Sequence, residues 1–218
     1  MIWRDKDSLN SPKDTADRRQ MFTARYATGE TPWDSGITPP EIKQILDELP
    51  AGAALDLGCG TGTVMRDLLA RGWRVDGIDF VPAATERAAQ KLADSPPENW
   101  RVFCHDVTRL PELPELRERY HLIIDIGCGH GLPGEAAADY ARGVSERLAE
   151  GGVFMLYAAQ PRPESTMGWS PDFVERLFCP PLRIAWRQDG EHSILGAIAS
   201  WYRLERLTNG GALMLARA

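Results

Sequence analysis

The chain has 218 residues, 43% of them hydrophobic, and 25 Lys and Arg against 31 Asp and Glu leave a formal charge of −6. That length fits one domain with an ample core, and the acidic balance argues against a broad nucleic-acid face, which needs clustered Lys and Arg. No apolar run approaches the roughly 18 residues of a membrane helix, and the start, Met-Ile-Trp-Arg-Asp-Lys-Asp, lacks the apolar stretch of a signal peptide. The expectation is a soluble, cytoplasmic protein, a monomer or weak dimer, with neither nucleic acid nor membrane among its partners. Cys59, Cys104, Cys128 and Cys179 are scattered, with no Cys-x-x-Cys and no zinc spacing, so they read as free thiols.

In chain order, residues 1–38 read as a cap arm. Its first 20 residues are charged, loose or helical, and a turn-rich Thr31-Pro32-Trp33-Asp34-Ser35-Gly36 follows. Thr38-Pro39-Pro40-Glu41 has the Thr-x-x-Glu spacing of a capping box, with prolines where a missing N–H costs least. Ile42, Ile45, Leu46 and Leu49 recur at the helical period and predict an amphipathic helix that Pro50 ends. Strand and helix then alternate. Strands are predicted at 53–57, 73–78, 100–104, 121–126 and 153–158, with helices at 64–72, 82–93 and 135–149 and a turn at Gly151-Gly152. Such alternation implies right-handed crossovers and a parallel sheet covered on both faces. Beyond residue 160, prolines mark loops around a short helix at 172–178. Runs at 182–187 and 199–207, joined through Asp189-Gly190, predict an antiparallel edge hairpin. The fold class is therefore α/β, a Rossmann-like doubly wound sheet, mostly parallel with an antiparallel C-terminal edge strand. Its cofactor core is placed at 39–160, and the substrate-side loops and edge hairpin at 161–218.

The chemistry concentrates at strand ends. Asp56-Leu57-Gly58-Cys59-Gly60-Thr61-Gly62 closes the first core strand with glycines that let a ligand lie against bare peptide. The spacing is Gly-x-Gly-x-Gly, and Thr63 stands where a dinucleotide fingerprint would have its last glycine, so a nucleoside site is favoured over a pyrophosphate site. Asp79 ends the next strand, about 20 residues on, where a carboxylate can accept both hydroxyls of a ribose. Asp106 ends the third strand and can accept from an exocyclic adenine amine, while Val107 offers a backbone N–H to a ring nitrogen. Ile126-Gly127-Cys128-Gly129-His130-Gly131 echoes the first loop, yet no strand-end acid follows it, so it reads as a wall of the same pocket.

These residues carry a family resemblance. Leu55 to Ala158 resembles the class I S-adenosylmethionine-dependent methyltransferases. The resemblance implies S-adenosylmethionine as cofactor, with Asp56, Gly58 and Gly60 at its methionine part and Cys59 among the residues that bind it. It places Asp79 at the ribose, Phe80, Asp106 and Val107 at the adenine, and Ile126 at the end of the fourth strand beside them. Pro32-Trp33-Asp34 is similar to the thiopurine methyltransferase-like branch, with its thiol, halide and tellurite methyltransferase relatives. That branch implies that Trp33 closes over the cofactor; the alternative is an aromatic staple tying the arm to the core.

A small-molecule acceptor follows, most naturally a soft nucleophile that needs no base. His130, in the loop after the fourth strand, is the candidate base if the acceptor is oxygen or nitrogen. Arg25, Tyr26, Asp34, Tyr202 and Arg203 are candidates for the substrate mouth. No Asn/Asp-Pro-Pro-Tyr/Phe string follows the fourth strand, which marks down nucleic-acid amines. No carboxylate cluster stands at 127–134, so no metal is required. A non-catalytic nucleoside-binding partner protein remains the reading from another class.

Overall fold

The computed structural model describes residues 15–162, 167–192 and 197–208. The expected arm before Thr15, the loop at Pro163 and the end of the chain from residue 209 lie outside them. Helices α1 (Thr15–Thr28) and α2 (Pro40–Glu48) precede β1 (Ala53–Leu57), α3 (Thr63–Ala70), β2 (Arg74–Asp79), α4 (Pro82–Leu92) and β3 (Trp100–Cys104). Then come β4 (Tyr120–Ile126), α5 (Gly134–Arg147), β5 (Leu148–Ala159), α6 (Pro171–Phe178), β6 (Leu182–His192) and β7 (Ala197–Arg206).

All seven strands form one sheet, in the order β3-β2-β1-β4-β5-β7-β6. The first five are parallel; β7 runs antiparallel between β5 and the edge strand β6. Strand order reverses between β1 and β4, which opens a crevice at the carboxyl ends of the strands. The period-2 alternation of the strands divides the apolar residues between two cores. Leu55, Leu57, Ile123 and Phe154 face one way and pack with Tyr140 of α5 and Phe178 of α6. Ala54, Leu122, Ile124 and Met155 face the other and pack with Ile42 of α2 and Met65 of α3. Burying each large side chain contributes about 1.5–3 kcal/mol, so both layers are needed to hold the crevice.

Three local readings are corrected. Pro39, rather than Thr38, caps α2, and no side chain caps it; two prolines leave fewer N–H groups for a threonine to satisfy. Asp189 and Gly190 lie inside β6 and pair with Ser200 and Ala199, so they are not the turn, and the pairing is longer than expected, extending to His192 and Ala197. Gly151-Gly152 does not precede β5 but interrupts it. Leu148 pairs with Tyr120 and Val153 with Leu122, so the extra residues bulge out.

One buried charged cluster belongs to the frame. Asp76 of β2 is fully buried and accepts from Arg101 at 2.8 and 2.6 Å, from Tyr120 at 2.5 Å and from Arg117. Burial pushes its carboxyl up, but those donors outweigh burial and hold it below the ordinary value. Removing one donor from such a buried set is far costlier than the set is stabilising.

Candidate functional site

The glycine loop begins where β1 ends. Gly58, Gly60 and Gly62 have φ of +72°, +53° and +77°, a left-handed run that side chains with a Cβ resist. A Cβ on Gly58 would lie 2.6 Å from Cys128 Cβ, so bare glycine lets the loops after β1 and β4 touch. Ile78 carbonyl oxygen accepts from the amides of Gly58 and Cys59 at 2.8 and 3.0 Å. Asp79, at the end of β2, accepts from the Gly60 amide at 3.0 Å on one oxygen and the Val81 amide at 2.9 Å on the other. Each carboxylate oxygen has a second lone pair, so capacity for two hydroxyls remains. Burial raises the Asp79 carboxyl above its ordinary value, and the Val81, Gly60 and Phe80 amides offset part of that rise.

Two further acids stand on adjacent strands. Asp56 is buried one residue before the end of β1, and burial, with the charges of Asp125 and Asp79 behind it, pushes its carboxyl up to about 7. Asp125 pairs in register with Leu57 and is fully buried; burial pushes it up to about 6. It accepts from the amides of Cys128 and Gly129 at 2.7 and 2.8 Å and from the Tyr140 hydroxyl at 2.5 Å. Asp125 thus fastens the loop that carries His130. Sequence reasoning missed it, although a carboxylate inside Leu-Ile-Ile-Asp-Ile is a signal of a committed buried acceptor. His130 is buried in the short turn Gly129–Gly131, and its carbonyl accepts from the Gly168 amide at 2.9 Å.

Just after β3, Asp106 accepts from the Thr108 amide and hydroxyl at 2.9 and 2.7 Å, both on Oδ1. Val107 next to it is buried, while Phe80 and Ile126 are half-buried at their strand ends. Cys59 is buried and burial drives its thiol well up, which keeps it neutral. Glycine loop, Asp79 and Asp106 therefore occupy the ends of three neighbouring strands, in the expected order.

The arm forms the roof. Residues 18, 22 and 26 share one face of α1 by their i, i+4, i+8 spacing. Tyr26 is buried, its hydroxyl 3.1 Å from where a Gly60 Cβ would stand. Phe22 packs edge-on against Phe80 at 5.9 Å and Trp33 at 5.1 Å. Arg18 is 7% exposed and donates to the Cys128 carbonyl at 3.4 Å. Trp33 itself touches the arm, with its Nε1 donating to the Tyr26 hydroxyl at 3.4 Å and Arg25 over its ring at 5.7 Å. Asp34 accepts from the Thr61 hydroxyl at 2.8 Å, and Lys91 of α4 donates to Thr61 and Thr63 at 2.7 and 2.9 Å. Two other mouth candidates are committed elsewhere. Tyr202 is fully buried in the core, and Arg203 bonds Glu48 at 2.7 Å and Glu205 at 2.9 Å. Arg18, Phe22 and Lys91 were not singled out from sequence; the helical spacing of the first two was the available clue.

Residues 54–152 match the family model described as a methyltransferase domain. Over 80 residues the chain is 36% identical to probable thiol methyltransferase 2 of Arabidopsis thaliana, a match spanning 36% of this chain and 35% of that relative. In structure it is similar to the 1,6-didemethyltoxoflavin-N1-methyltransferase of Burkholderia thailandensis, solved with S-adenosylhomocysteine. The TM-score is 0.74 at 18% identity, over 95% of this chain and 99% of that one. It is also similar to TehB of Haemophilus influenzae, with a TM-score of 0.66 at 16% identity over 88% and 67% of the two chains. The stretch that matches the methyltransferase domain model contains the glycine loop and Asp79 and Asp106, which stand at successive strand ends.

Proposed function

We propose that the crevice binds S-adenosylmethionine and passes its methyl group to a small-molecule acceptor, a soft nucleophile such as a thiol, a halide or a chalcogen. The ordered series of glycine loop, Asp79 and Asp106 at the ends of β1, β2 and β3 carries this reading. The residues fit the cofactor. The loop's missing Cβ atoms leave bare backbone, Asp79 retains lone pairs for ribose hydroxyls, and Asp106 Oδ2 with the Val107 amide offers an acceptor and donor for adenine. Asp56 supplies the carboxylate for a cationic methionine end, and a cation there would draw off the proton it holds near neutrality.

S-adenosylmethionine, when bound, supplies a methyl group already activated on a cationic sulfur. The chain's part is to align the acceptor and keep water out. Tyr26, Phe22 and Arg18 close the crevice from above, while Asp125 holds the loop after β4 rigid beneath them. A soft anion or thiolate needs no proton removed, so His130 has no necessary chemical part with such an acceptor. Similarity to a thiol methyltransferase supports the soft class. His130, buried beside the same loop, supports the second reading, an oxygen or nitrogen acceptor with His130 as base.

Calorimetry with S-adenosylhomocysteine tests the cofactor, and transfer of labelled methyl across thiols, halides, phenols and amines tests the acceptor. We expect binding by the natural chain, at least tenfold weaker binding by Asp79→Ala, and product from thiols or halides. No binding at millimolar ligand sinks the reading; binding without transfer to any acceptor points to a non-catalytic binder.

A further inference from the structure

The roof helix carries a charge with no direct ion pair among the described residues. Arg18 is 7% exposed, and its Nη2 reaches only the Cys128 carbonyl, at 3.4 Å. Its Nη1 is buried without a hydrogen-bond partner among the described residues. A guanidinium keeps its charge inside a protein and presents five donors in a fixed fork, so an empty donor there is an invitation to an anion. Burial lowers the pKa of this group while Cys128, Asp125 and Asp106 act the other way. Neither acid pairs with it directly. Asp125 spends its oxygens on Cys128, Gly129 and Tyr140, and Asp106 Oδ1 is held by Thr108.

The position of the fork is unusually well defined. A Cβ on Gly131 would fall 1.5 Å from Nη1, so the guanidinium lies directly on bare glycine in the loop after β4. The same loop touches the glycine loop, since Cys128 stands against Gly58. The free donor therefore sits between the roof and the loop that meets the cofactor-side glycines.

We propose that Arg18 is the acceptor-recognition residue of this site and that the acceptor binds as an anion. This rests on the methyltransferase reading above and narrows it. In the transfer, a lone pair of the anionic acceptor forms the new bond to the methyl carbon, the carbon–sulfur bond breaks, and its electron pair returns to sulfur. A thiolate or halide releases no proton in that step, so no base is consumed. A guanidinium beside the acceptor atom also favours thiolate over thiol, because a nearby cation lowers a thiol's pKa.

The test uses the full chain saturated with S-adenosylhomocysteine. The probe is 4-nitrothiophenolate, an anion at neutral pH, followed by its own absorbance, with neutral 4-nitrothioanisole as control. Two variants are compared with the natural chain. Arg18→Gln removes the charge. Gly131→Ala keeps the charge, and the atoms nearest its new Cβ all belong to the flexible head of Arg18, which it displaces. Both are expected to weaken thiolate binding at least tenfold, to leave the neutral control unchanged, and to hold S-adenosylhomocysteine affinity within twofold. Iodide and benzoate, run as competitors, separate halide and carboxylate recognition from thiolate recognition.

Thiolate affinity within twofold in Arg18→Gln overturns the proposal, as does a natural chain that binds none of the three anions. A parallel loss of S-adenosylhomocysteine affinity overturns it in favour of Arg18 holding the carboxylate of the cofactor. Failure of the natural chain to bind S-adenosylhomocysteine would instead remove the methyltransferase reading itself.

Discussion

Thr61 donates its hydroxyl proton to Asp34 at 2.8 Å while accepting from Lys91 at 2.7 Å. One hydroxyl of the glycine loop is thus the junction of the arm, the loop and α4. The arm is held by this junction and by the contacts of Phe22 and Tyr26.

Asp34→Ala should loosen the arm without unfolding the core. A hydrogen bond of this half-exposed kind contributes about 1 kcal/mol. Hydrogen exchange of the amides at 19–33 should accelerate about fivefold, while amides of β1 and β4 keep their protection. Acceleration spread evenly over the sheet would show that the junction stabilises the whole domain instead.

Stability should fall as pH rises towards neutrality because of Asp56. Its folded carboxyl stands at about 7, above the ordinary 3.8, so the folded state holds a proton that the unfolded chain has lost. That contribution is complete below about pH 4 and disappears as pH passes through 7. Asp56→Asn removes it. Urea midpoints measured from pH 4.5 to 8 should show the natural chain losing stability relative to Asn, with a slope no steeper than about 1.4 kcal/mol per pH unit. Parallel curves would mean that Asp56 is not protonated when folded.

Gly58→Ala should separate two loops. The new Cβ meets Cys128 Cβ at 2.6 Å in a backbone of φ +72°, which costs about 1–2 kcal/mol before any steric clash. S-adenosylhomocysteine binding should weaken at least tenfold. Adding Cys128→Gly relieves the clash but not the backbone strain, so it should restore part of the loss; calorimetry on the single and double variants decides this.

His130→Ala separates the acceptor classes. With a soft acceptor, kcat should stay within about threefold. A loss of a hundredfold or more, the size of removing a general base, would assign an oxygen or nitrogen acceptor.

The strands were legible because their apolar runs are short, bounded by Gly or Asp, and too poor in helical spacing to be read otherwise. Asp79 and Asp106 stood out because acids at strand ends have few structural reasons to be there. Asp125 did not, since a buried acid inside an apolar run declares itself only when its donors, Cys128, Gly129 and Tyr140, are seen around it. Arg18 was hidden in a charged segment that reads as solvated, and only the tertiary placement of α1 makes it buried. The hairpin turn was misplaced because Asp-Gly is a strong turn signal that a long paired edge can override.

Arg18, Phe22 and Tyr26 lie on one stripe of one helix, and a stripe lets go as a unit. Any lifting of α1 from Gly131 would also uncover Phe80 and Gly60. Gly29 and Gly36, both left-handed with open space around them, bracket the segment that follows the helix. On the proposed reading, one displacement of this helix would open the faces of Gly60 and Gly131 together rather than one at a time.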